Sequence, residues 1–189
     1  KGRGEDTMAI AQVGSVIEIQ TANGSSSQSI TVPSGADIAV IFILGVSATG
    51  TLTLGGNACT RRAPTSGNFA CEAWTYTTPP SGSQALAWNF TREGIETCFL
   101  IVFYSGVDTA NPVRDADHDD GGDALSTAVT PSMTSQAGDL AVGGGKAYIG
   151  WSTPIDLDNN SQTALHSTTF DYGDTNDIAG GIATKSATG

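Results

Sequence analysis

The chain has 189 residues and a net charge of −11, with only 14% charged residues, 39% hydrophobic residues and 24 glycines. That balance excludes a disordered chain, which needs high charge and few β-formers, and a helical bundle, which would be rich in Leu, Glu, Lys and Arg. Residues 1–107 hold seven acids and five bases, whereas residues 108–189 hold twelve Asp and three bases; such a surface repels phosphates and anionic lipid and attracts divalent cations or basic surfaces.

Residues 1–7, KGRGEDT, are a polar N-terminal extension without the apolar core of a signal peptide. The chain opens on Lys1 while Met8 begins the first strand-like run, so Lys1 is read as a processing point or the start of a fragment. From residue 8 to 189 the pattern reads as one β-sandwich domain, a size that all-β folds often reach as a single unit.

Alternating or β-rich runs predict strands over Ala9–Ile19, Gln28–Val32, Asp37–Val46, Thr51–Leu54, Phe69–Thr77, Gln84–Phe90 and Thr97–Ser105. Weaker strands follow at Leu125–Thr130, Asp139–Ile149, Gln162–Phe170 and Ile178–Thr184. Pro33-Ser34-Gly35 and Pro79-Pro80-Ser81-Gly82 close turns, because proline fixes φ and glycine permits positive φ. Asp37–Val46 and Thr97–Ser105 are apolar on both faces and therefore belong in the middle of a sheet covered on both sides. In Gln84–Phe90, Leu86, Trp88 and Phe90 point one way, into a core. No run of ten residues keeps a helical period free of Gly, Pro or a Ser/Thr cluster. The fold class is all-β, a sandwich of jelly-roll or Ig-like type with roughly 8–11 strands. The longest apolar run, Ile38–Val46, is strand-length and far short of a membrane span.

Several landmarks stand in order: TVPSG (31–35), IAVIFILGV (38–46), TLGGNACTR (53–61), CEAWTYTTPPSG (71–82), FYSGVDTANPV (103–113), SQAGDLAVGG (135–144) and ATKSATG (183–189). The series resembles a β-sandwich module of phage virion proteins and of bacterial secreted or surface proteins, over about residues 28–189. The resemblance implies a building block or display domain on an extracellular or virion surface, with no catalytic residues. Its expected partners are copies of itself or other structural subunits, or a glycan, and neither nucleic acid nor an inserted membrane. The module continues past the Ala-Thr-Gly stretch with closing strands. Ending at Gly189 therefore implies a fragment of a longer chain, or an edge supplied by a neighbouring subunit.

The sharpest local feature is Arg114-Asp115-Ala116-Asp117-His118-Asp119-Asp120-Gly121-Gly122-Asp123. Alternating carboxylates on a glycine-containing loop suit the hard oxygen ligation of Ca²⁺, which nominates Asp115, Asp117, Asp119, Asp120 and Asp123. The glycine falls one place late for an EF-hand and Ser126 stands where its Glu is needed, so the alternatives are a looser Ca²⁺ loop or a solvated acidic loop. Asp156, Asp158, Asp171, Asp174 and Asp177 form two sparser acidic loops. Cys59 and Cys71 either bridge neighbouring strands, a closure worth about 3 kcal/mol, or are independent buried thiols. Cys98 reads as a small core residue.

Of the aromatics Trp74, Tyr76, Trp88, Tyr148 and Trp151, the last lies on a loop between Gly150 and Pro154 and is the exposed candidate for a ligand or interface contact. Catalytic signatures are weak. His118 and His166 stand in no nucleophile or metalloprotease spacing, the Asp residues lack the aromatic neighbours of a glycosidase pair, and Gly143-Gly144-Gly145-Lys146 reads as a bulged strand rather than a phosphate loop. The expected role is a non-enzymatic structural subunit, either of a phage virion or of a bacterial filament or adhesin with carbohydrate binding as a further variant.

Overall fold

The computed structural model describes residues 9–21, 24–44, 50–63, 71–90, 97–117, 133–149, 163–170 and 177–186. The polar extension, the predicted strand at Leu125–Thr130, and Asp119, Asp120, Asp123 and Trp151 lie outside the described residues.

Twelve strands are present among the described residues: β1 (Ala11–Thr21), β2 (Ser25–Val32), β3 (Ile38–Leu44), β4 (Gly50–Leu54), β5 (Asn57–Ala58), β6 (Thr60–Ala63), β7 (Cys71–Thr77), β8 (Gly82–Phe90), β9 (Thr97–Ser105), β10 (Leu140–Ile149), β11 (Thr163–Phe170) and β12 (Asp177–Ser186). The count exceeds the expected 8–11 because Asn57–Ala58 and Thr60–Ala63, too short and polar to show a period, pair as β5 and β6. The chain is all-β, and its antiparallel sheets pack on one another as a sandwich.

A central sheet has the order β1-β9-β3-β7-β6, and a second sheet the order β2-β8-β4-β5. The chain crosses repeatedly between the two sheets as it runs from β1 to β9, staying in one sheet only from β4 to β5 and from β6 to β7. Consecutive strands β1 and β2 lie in different sheets, whereas an Ig-like sandwich would pair them. The order is that of a jelly roll, with two interleaved four-strand sets and β6 added at one edge. A third sheet, β10-β12-β11, covers the other face of the central sheet.

Two separate cores explain the two doubly apolar strands. Ala39, Ile41 and Ile43 of β3 and Phe99, Ile101 and Phe103 of β9 pack against Leu52, Leu86, Trp88 and Phe90 of the second sheet. The alternate residues Ile38, Phe42, Leu44, Cys98, Leu100, Val102 and Tyr104 face the third sheet, where Ile182, Leu140, Val142 and Leu165 meet them. Period-two alternation sends successive side chains to opposite faces, so a strand apolar at every position needs a cover on each side. Trp88 lies 4.7 Å, centroid to centroid, from Phe99 and anchors the first of these cores.

The third sheet comes close. A Cβ built at Gly144 of β10 would stand 2.8 Å from Phe42 Cε1 and nearer still to two other ring atoms. Only glycine permits that approach. The Gly143–Gly145 run is consequently not the bulge that the sequence suggests: β10 pairs with β12 from Leu140 to Ile149 without a register shift. A true bulge sits in β1, where the register with β9 shifts between Val13 and Ile17 and Gly14 adopts φ 74°.

Candidate functional site

The described part of the acidic segment folds around its own ends. Arg114 donates through Nε to Asp139 Oδ2 at 2.6 Å and through Nη2 to Oδ1 at 3.3 Å. Asp139 also accepts the Gln136 N–H at 2.8 Å, and these donors hold its carboxyl below the usual range. Asp115 accepts the Thr134 N–H at 2.8 Å and the Ala116 N–H at 2.9 Å, which lowers its pKa in turn. Both carboxylates thus join the two ends of the segment between residues 115 and 134. Asp117 is exposed. Among the described residues no three His, Cys, Asp or Glu side chains converge as a metal-binding group.

Cys59 and Cys71 are not joined in a disulfide. Cys59 lies in the core between the central and second sheets, whereas Cys71 faces the third sheet and donates to the Gly144 carbonyl at 3.4 Å. Opposite faces of one sheet keep their sulfurs apart, and neighbouring strands alone could not reveal that. Burial pushes the Cys59 thiol up to about 12. It does the same for Cys98, with the charge of Glu18 adding to the effect, so both are poor nucleophiles. Trp74 and Trp88 are core residues and Tyr76 is half-buried, which removes the two tryptophans from any sugar platform.

Four polar joints emerge that local patterns did not single out. Glu72 is 1% exposed in an inward-facing position of β7; it pairs with Arg61 of β6 and accepts the Trp74 Nε1–H at 3.0 Å. An acid on the same face as Trp74 was the only signal in the sequence. On the opposite face, Arg62 Nε donates to the buried Thr75 hydroxyl at 2.9 Å. Asp37 accepts the backbone N–H groups of Gly106 at 2.6 Å and Val107 at 3.2 Å, fixing the turn after β9.

Glu18 of β1 meets β11. Its carboxylate lies 2.6 Å from His166 Nε2, and it accepts the Thr168 hydroxyl at 2.7 Å and the Gln20 amide at 2.5 Å. Burial raises the Glu18 pKa, but these hydrogen bonds outweigh it and hold the carboxyl below its ordinary value. The cluster ties the third sheet to the edge of the central one.

A cleft of about 310 Å³ opens beside the β1 bulge, lined by Gly14, Ser15, Val16, Ile17, Thr31, Pro33 and Phe103. Among the described residues that line it, the side-chain polar groups are the Ser15 and Thr31 hydroxyls. The second sheet has a different character. None of the residues of β2, β8, β4 and β5 carries a charge. Its outward face is a flat field of Ser25, Ser27, Ser29, Thr31, Ala85, Asn89 and Thr51. Compared with protein-family models, with curated proteins and with solved structures, the chain shows no match.

Proposed function

We propose that the chain is a non-enzymatic structural subunit of an extracellular or particle assembly, specifically a phage virion protein that decorates the capsid or belongs to the tail. The observation that carries this reading is the jelly-roll strand order, an architecture used by viral capsid and lectin domains. A fold alone does not fix a function. A second support comes from where the acids go: Glu18, Asp37, Glu72, Asp115 and Asp139 each tie a strand, turn or loop to another part of the chain. The polar chemistry of these residues serves a rigid body, and the ordered landmarks from TVPSG to ATKSATG resemble those of virion modules.

The test is particle composition. Purified particles should contain the chain at a fixed, stoichiometric copy number; recovery only in free filaments or culture supernatant would sink the virion reading. The uncharged edge of the second sheet favours a second reading, a subunit of a bacterial filament or adhesin, which that recovery would support. Glycan-array binding lost on Trp151→Ala would instead identify a lectin.

A further inference from the structure

We infer that the free edge of β2 is a self-association surface, where β2 of a second copy of this chain pairs antiparallel across a two-fold axis at Gln28. This deepens the subunit reading by naming one of its contacts, and rests on it.

Open strand edges carry unpaired N–H and C=O groups that template another strand, and proteins blunt them with bulges, charge or shortness. Every other edge among the described strands is blunted. β1 is bulged at Gly14 and carries Glu18; β6 has four residues, two of them Arg61 and Arg62; β5 has two residues. β10 contains Lys146, and β11 breaks register between Ala164 and His166. β2 has none of these devices. Its eight residues, SSSQSITV, hold no charge and no proline, and it pairs with β8 in unbroken register from Ser25 to Val32.

The ladder shows which groups are free. Gly24 O accepts the Phe90 N–H at 2.6 Å, one step before Ser25↔Asn89 in the same register. Antiparallel pairing alternates, so residues 26, 28, 30 and 32 turn their backbone toward β8, while Ser25, Ser27, Ser29 and Thr31 present N–H and C=O groups to the open side. All four of these residues are exposed. Placing residue 28 opposite its own copy sets Ser25 against Thr31 and Ser27 against Ser29, each as a hydrogen-bonded pair, for about eight new bonds. Gln28 is exposed although its position in the strand points it toward the central sheet, so mid-β2 stands clear of that sheet.

Charge selects the occupant. A chain with net charge −11 repels its own copies through most of its surface. The second sheet is free of charge, and an isologous two-fold contact brings that sheet against itself. A basic partner would gain nothing specific here.

The test uses the full chain in analytical ultracentrifugation from about 1 μM to about 1 mM, together with a cysteine crosslink. The wild type should show a reversible monomer–dimer equilibrium. Ser27→Pro removes an N–H that faces the open edge, not β8, and so leaves the existing ladder intact; Ser27→Lys is a second variant that keeps every backbone group. Both should weaken dimerisation roughly tenfold or more. Gln28→Cys should crosslink the dimer, because a non-hydrogen-bonded pair brings the two Cβ atoms within about 5 Å. Thr31→Cys should not, since its copies lie about 20 Å apart in this register. A wild type that stays monomeric throughout would overturn edge pairing, whatever the particle assay shows. So would a dimer unaffected by both Ser27 variants, or one crosslinked by Thr31→Cys as readily as by Gln28→Cys.

Discussion

Replacing Gly144 with alanine tests how the third sheet seats on the central one. The added methyl would overlap the ring of Phe42, a residue only 5% exposed, at 2.8 Å from Cε1 and nearer to Cδ1 and Cγ. A buried ring cannot swing away without displacing Leu100 and Ile182 in the same cluster, so the strand must move instead. Overpacking of this kind costs about 1–3 kcal/mol. Gly143 and Gly145 supply the comparison within one strand, because a Cβ at either meets nothing within 4 Å. Replacing either with alanine should leave stability unchanged or raise it by about 0.5–1 kcal/mol through reduced unfolded-state entropy. Urea denaturation of the three variants should therefore separate Gly144→Ala from its neighbours by about 2–3 kcal/mol. Phe42→Leu should remove most of that penalty in the double variant, a coupling that a cycle of single and double changes isolates. If all three alanine variants melt within about 0.5 kcal/mol of one another, the close approach is not what the glycine serves.

Glu72→Ala should destabilise the fold by about 3 kcal/mol or more in urea melts, because it strips Arg61 and the Trp74 N–H of their buried acceptor. Tyr104→Phe should be neutral or stabilising by up to about 1 kcal/mol, since the Tyr104 hydroxyl is buried and finds no hydrogen-bond partner among the described residues. Burial also raises the pKa of this phenol. Glu18, held below its ordinary 4.5 in the folded chain, contributes stability that is present above that pH and is lost as pH falls through the folded value. Thermal melts across the acid range should therefore show a steeper loss for the wild type than for Glu18→Gln. Equal slopes would mean that the contact with His166 and Thr168 adds nothing to stability.

What the residues determine locally is which face each side chain takes. The apolar pattern predicts a strand over Thr97–Ser105, the bounds of β9, and the inward set Leu86, Trp88 and Phe90 is buried as its alternation requires. The doubly apolar runs around Ile41 and Ile101 require a sheet covered on both sides, and the second and third sheets supply the two covers. Period two is a property of the backbone, so it survives whatever the strand pairs with. Partner choice is not local, because backbone hydrogen bonds look the same along every strand. The jelly-roll order over Ig-like pairing, the separation of Cys59 from Cys71 by a sheet, the seat of Gly144 on Phe42, and the meeting of Glu18 with His166, 148 positions away, come only from tertiary packing. The acidic stretch shows the same division. The sequence supplies the carboxylates of Asp115 and Asp139, and only the assembled chain brings the N–H and guanidinium donors that bind them into reach.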